Sequence, residues 1–103
     1  MNIFLPLSQL VSGKTLQLSG SKSESNRALL LQAFFPELQI KNLSTADDTL
    51  LLQRALQSKE ATIDIHHAGT AMRFLTAYFA TCAGKSCMLT GSARMKERPI
   101  ALL

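Results

Sequence analysis

Three stretches of this chain combine cations, hydroxyls and glycine at spacings that suit an anion. Gly20-Ser-Lys-Ser-Glu-Ser-Asn-Arg27 puts Lys22, Ser23 and Arg27 between a strand-like run and apolar helical sequence. A helix N-terminus offers unpaired N–H groups and the positive end of the macrodipole, so a phosphate or carboxylate is already favoured there. Lys22 adds a compact cation, and Ser23 and Arg27, four apart, share a helix face. His66-His67-Ala-Gly69-Thr70-Ala-Met-Arg73 repeats the pattern: a strand ends in a glycine turn, Thr70 takes the cap position, and Arg73 follows one turn on. Gly91-Ser-Ala-Arg94-Met-Lys96-Glu-Arg98-Pro99 then sets three cations within five residues.

Each stretch also has a plainer use. Ser21 and Glu24 fit a capping box, in which both groups only satisfy backbone donors. The first stretch is not a Walker A loop, because Ser21 separates Gly20 from Lys22 and the upstream glycine is missing. Asp47-Asp48 could serve acid–base chemistry, but Thr45 with Asp48 resembles another capping box, and carboxylates favour a helix start in any case. Arg73, Arg94 and Lys96 are read as structural or solvated cations. One capped helix is ordinary; three anion seats in one small chain point to a substrate with more than one acidic group.

The totals narrow the classes. A chain of 103 residues forms at most one domain, and a net charge of +4 suggests anionic partners. With one tyrosine and no tryptophan there is little to stack on bases, and neither a basic stripe nor a nucleic-acid module is visible, so nucleic acid is not the expected partner. Cys82 and Cys87 form no CxxC and have no second pair, which leaves no zinc site and two reduced, buried thiols. The N-terminus lacks the basic and long apolar regions of a signal peptide, and no apolar run nears the ~20 residues that span a bilayer. A cytoplasmic protein with neither metal nor cofactor is the expectation.

The elements that must place these residues read as β-β-α-β-α-β-α-β, an α/β architecture with helices packed on sheets. Strands are expected at Asn2–Leu5, Thr15–Leu18, Leu38–Leu43, Thr62–His66 (Ile63 and Ile65 inward) and Lys85–Thr90. The first helix should run from about Glu24 to Phe35, apolar over most of its circumference and therefore well buried, ending at Pro36. The second opens at Ser44-Thr45-Ala46-Asp47-Asp48 and runs to about Ser58; the third spans Ala71–Cys82 before Gly84. Pro99 suits the first position of a further helix, with Ile100–Leu103 as its first turn. Strand-to-helix turns in such folds gather at one end of the sheet, where ligands bind.

Gly20 to Leu29, Asp47-Asp48, His67 to Arg73 and Leu89 to Pro99 occur together and in this order. With them the chain resembles the 5-enolpyruvylshikimate-3-phosphate synthases, also called 3-phosphoshikimate 1-carboxyvinyltransferases. The resemblance covers essentially the whole chain and implies the N-terminal portion of a longer, two-domain enolpyruvyl transferase built from βαβαββ units. The chain would then be truncated to the start of one lobe, with the first strand, about residues 1–13, belonging to the other. It further implies transfer of the enolpyruvyl group of phosphoenolpyruvate to the 5-hydroxyl of shikimate 3-phosphate, releasing phosphate, on the route to chorismate and aromatic amino acids. The full-length enzyme would be a monomer, and the fragment alone inactive, since the family's acidic catalytic groups lie beyond Leu103.

Carried over by position, Lys22 would act as the catalytic charge and proton-transfer residue and touch both substrates. Ser23 and Arg27 would hold shikimate 3-phosphate; His67, Gly69, Thr70 and Arg98 would hold phosphoenolpyruvate. His67 stands where the family commonly has Asn, Phe74 where Pro is usual, and the stretch from Leu56 to His66 is shorter than usual. Two other readings compete: the related UDP-N-acetylglucosamine 1-carboxyvinyltransferase, disfavoured by Lys22-Ser23 in place of Lys-Asn, and a non-catalytic anion-binding module.

Overall fold

A computed structural model describes residues 1–101. Four helices and two strands follow in the order α1 (Lys22–Phe34), α2 (Asp47–Gln57), β1 (Thr62–Asp64), α3 (Gly69–Thr81), β2 (Met88–Thr90) and α4 (Ala93–Lys96). The strands are parallel, with Thr62 opposite Met88, Ile63 opposite Leu89 and Asp64 opposite Thr90. Since β1, α3 and β2 are consecutive, they form one βαβ unit, and the loops leaving both strands emerge at the same end.

The core lies where α2 and α3 meet this ribbon. Leu52, Ile65, Ala68, Ala71 and Leu75 have no exposed surface, and Leu29, Ala55, Ile63, Met72, Phe79 and Met95 close the cluster. Alternation along β1 holds as expected: Ile63 and Ile65 are buried while Thr62, Asp64 and His66 face solvent.

Three expected strands are absent. Residues 2–5, 15–18 and 38–43 have no ladder partner, and β1 with β2 is the only pairing among the described residues. Strand-type sequence forms a strand only where another strand satisfies its N–H and C=O groups. Residues 1–18 are exposed throughout, including Ile3, Phe4, Leu5, Leu7 and Leu10. Their projection explains a radius of gyration of 17.5 Å, above the ~13 Å of a compact 100-residue domain.

α1 also departs from expectation. It buries Ser25, Asn26 and Leu29 and leaves Leu31 and Phe34 about half exposed. The buried face is polar because it is hydrogen-bonded: Ser25 Oγ accepts the Ser44 N–H at 2.9 Å, and Thr49 Oγ1 donates to Asn26 Oδ1 at 2.8 Å. Asn26 Nδ2 is buried with no partner, an arrangement that costs about 1–3 kcal/mol.

Of the expected caps, one is in place and two move. Ser21 caps α1, its Oγ accepting the Glu24 N–H at 3.4 Å. At α2 the cap residue is Ala46, not Thr45, because Ser44 Oγ already turns the chain by accepting the Ala46 N–H. At α3 it is Ala68, so Thr70 lies inside the helix. A short α4 capped by Ser92 carries part of the basic segment before Pro99, and Pro99 starts no helix within the described residues; of Ile100–Leu103, Leu102 and Leu103 lie outside them. Cys82 ends α3 and Cys87 precedes β2; both are free thiols, half-buried rather than buried.

Candidate anion-binding site

Three chain segments deliver the site. Ser21 opens α1 with Lys22 and Ser23 as its first helical residues, and Arg27 stands one turn further on the same side as Ser23. β1 ends at Asp64, and a turn in which Ala68 donates to the Ile65 carbonyl leads into α3, with Gly69 and Thr70 first and Arg73 one turn later. The same end of β2 leads to Ser92, whose N–H donates to the His66 carbonyl at 2.9 Å, tying the two strand exits together.

From there α4 acts as a lever. Ser92 Oγ accepts the Met95 N–H at 3.3 Å, Met95 is buried in the core, and the Arg98 N–H donates back to the Met95 carbonyl at 3.1 Å. Arg98 is thereby carried onto the N-terminus of α3. Gly69 makes room for it: a Cβ at residue 69 would collide with Arg98 Nη1 and lie 3.3 Å from its Cζ.

The product is one cleft of about 510 Å³ lined by Ser23, Arg27, Gly69, Thr70, Arg73, Phe74 and Arg98. Three guanidinium groups face it and no carboxylate is among its lining residues. Arginine stays charged at any working pH and presents a fork that fits carboxylate and phosphate oxygens. α3 has no side-chain cap, so the N–H groups of its first turn are available at the cleft beside Gly69 and Thr70. Fixed positive charge with a hydroxyl on each side can hold an anion of more than one acidic group without a metal. Among the described residues no cluster of His, Cys, Asp or Glu could ligate one.

Five sequence-derived residues therefore meet: Ser23, Arg27, Gly69, Thr70 and Arg98. Lys22 is exposed at the head of α1 but does not line the cleft. His67 is not brought to it at all. Its Nε2 is 3.9 Å from Asp47 Oδ2, in a separate hollow with Leu50, Leu51, Arg54 and His66. The turn into α3 sends successive side chains to different sides, and His66, with φ of 50°, sits in the left-handed region at that turn. Arg73, taken from sequence as structural or solvated, lines the cleft, as does Phe74. Their spacing from Thr70, three and four residues on a helix, was the available signal.

The chain thus joins a parallel βαβ unit to an arginine-lined cleft beside its strand ends. Comparison with known proteins is more specific. The sequence model of EPSP synthase (3-phosphoshikimate 1-carboxyvinyltransferase) matches residues 52–103, half of the chain, and the protein belongs to that family. A 3-phosphoshikimate 1-carboxyvinyltransferase of Bacteroides fragilis (strain YCH46) is 48% identical over 90 residues, covering 86% of this chain and 22% of the relative. The enzyme of that name from Serratia proteamaculans is 39% identical over 122 residues, covering 91% of this chain and 28% of the relative. A pentafunctional AROM polypeptide of Lachancea thermotolerans is 39% identical over 132 residues, covering 95% of this chain and 8% of the relative. The chain thus spans about a quarter or less of the length of these relatives. No solved structure matches it.

Proposed function

We propose that this chain forms the substrate-anion seat of a 3-phosphoshikimate 1-carboxyvinyltransferase, the enzyme that moves the enolpyruvyl group of phosphoenolpyruvate to the 5-hydroxyl of shikimate 3-phosphate. The observation that carries the reading is the convergence of Arg27, Arg73 and Arg98 with Ser23 on one cleft at the uncapped start of α3.

Both substrates are polyanions that repel one another, so the first task is to offset that repulsion with fixed positive charge. Ser23 and Arg27 hold the phosphate of shikimate 3-phosphate from α1. Arg98 pairs with the phosphoenolpyruvate anion, whose oxygens reach the N–H groups at Gly69 and Thr70. In the addition step the 5-hydroxyl gives up its proton and its oxygen bonds to C2 of phosphoenolpyruvate, while the C2–C3 double bond opens and C3 gains a proton, giving a tetrahedral intermediate. Elimination then breaks the C2–O bond to phosphate, removes a proton from C3 and restores the double bond. Lys22, one residue before Ser23, is the cation that stabilises and relays charge between the two substrates.

In this reading the chain by itself binds and orients without turnover, which agrees with a cleft lining that holds no carboxylate to take or give the C3 proton. Segment 1–13, apolar and wholly exposed, belongs to a second lobe, and the complete enzyme acts as a monomer in the cytoplasm.

Isothermal titration of the chain with shikimate 3-phosphate tests this, with UDP-N-acetylglucosamine as control. Saturable binding of the first alone is expected. Binding of the second instead would assign the chain to the UDP-N-acetylglucosamine enzyme, and binding of neither would overturn the reading. Phosphate release by the chain alone would overturn the claim that it does not turn over.

A further inference from the structure

The hydrophobic pattern of α1 does not choose which side of the helix faces inward. Apolar residues surround it from Ala28 onward, yet Leu31 and Phe34 are exposed while Ser25 and Asn26 are buried, Asn26 completely. Polar groups therefore set the rotation. Asn26 Oδ1 accepts from Thr49 Oγ1, itself fully buried on α2, and Ser25 Oγ accepts the Ser44 N–H just before α2. Asn26 adjoins Arg27 and lies one turn after Ser23, so a rotation that broke this bond would swing both cleft residues off the cleft.

We infer that Asn26 and Thr49 are positioning residues, whose buried hydrogen bond fixes the rotation of α1 on α2 and holds Ser23 and Arg27 at the anion cleft. A contact made of apolar groups alone tolerates sliding and repacking, whereas a hydrogen bond in a dry core has one satisfied geometry. The unpartnered Asn26 Nδ2 agrees with this: for stability alone, an apolar pair of the same shape would serve as well or better. The consequence for shikimate 3-phosphate rests on the function proposed above, while the rotation of α1 does not.

Thr49→Val removes the hydroxyl at nearly constant shape, and Thr49→Ser keeps it. In the Val variant helical circular dichroism is retained, shikimate 3-phosphate binds about five-fold more weakly, and the backbone amide signals of Ser23 to Arg27 shift in nitrogen–proton spectra. The Ser variant matches wild type in binding and in those signals. Val-variant signals at Ser23 to Arg27 that coincide with wild type overturn the inference, whether or not the melting temperature falls. If wild type binds no shikimate 3-phosphate, the proposed function fails and the amide signals still decide the rotation. Should Thr49→Val not fold, the Asn26→Leu, Thr49→Val double variant replaces it with the same readouts. Loss of folding there too would show that the pair holds the fold together rather than choosing a rotation, and would overturn the inference.

Discussion

The guanidinium of Arg98 occupies the space that a side chain at residue 69 would need. A helix start and a cation from a different segment are thus interlocked through a missing Cβ. Gly69→Ala pushes the Arg98 side chain aside, and since the displaced atoms end a flexible chain, the fold survives. Stability is expected within about 1 kcal/mol of wild type by urea unfolding. Affinity for phosphoenolpyruvate is expected to fall about ten-fold by calorimetry, through loss of a charge-assisted contact. Unchanged affinity would show that Arg98 does not depend on the glycine.

Arg73 is exposed and lines the cleft between Thr70 and Phe74. Arg73→Gln should leave unfolding within about 0.5 kcal/mol of wild type and weaken shikimate 3-phosphate or phosphoenolpyruvate about ten-fold at low salt. The gap should narrow as ionic strength rises from ~0.01 M to ~0.1 M and the screening length falls from ~30 Å to ~10 Å. An equal affinity at all salt concentrations would return Arg73 to the solvated surface.

Gly20 packs against backbone. A Cβ there would collide with the Asn42 carbonyl oxygen and come within 3.3 Å of the Ser44 nitrogen. Asn42 is already held at φ of 55°, with its side chain donating to the Leu18 carbonyl at 3.3 Å, so the strand of chain it belongs to has little freedom to retreat. Gly20→Ala is therefore expected to destabilise by about 1–3 kcal/mol, read from the urea midpoint. A midpoint equal to wild type would mean that the 38–43 segment yields freely.

Burial pushes the Tyr78 phenol above its ordinary value of 10.0, and the neighbouring Cys82 adds to the rise. The folded state then holds this proton more tightly than the unfolded state. The stability this contributes is complete below about pH 10 and is lost as pH climbs through the raised folded value. Tyr78→Phe keeps the ring contacts with Phe34 (centroids 5.2 Å apart) and Phe79 (5.3 Å) but removes the ionisation. Urea unfolding at pH 8 and at pH 11 should show wild type losing more stability than the variant. Parallel losses would mean that Tyr78 ionises equally in both states.

Much of the chain could be read locally. The Ser21 cap, the positions of α1, α2 and α3, the in–out alternation of β1 and the shared helix face of Ser23 and Arg27 follow from short-range rules, whereas Arg98 stands out from its neighbouring cations only by resemblance to the family. Those rules act within one helical turn or along one pleat, so neighbouring residues carry the information. Long-range contacts chose the rest. Segments 2–5, 15–18 and 38–43 have strand-type sequence but no ladder partner, and pairing is a property of two segments. α1 turned a polar face inward because Thr49 and Ser44, about twenty residues away, supplied its hydrogen bonds. His67 and Arg73 part for a similar reason: resemblance to the family marks His67 as a site residue and spacing leaves Arg73 a solvated cation, but the turn from β1 into α3 places the first near Asp47 and the second at the cleft. Sequence spacing says which side chains share a face, but only packing against other segments says what that face looks onto.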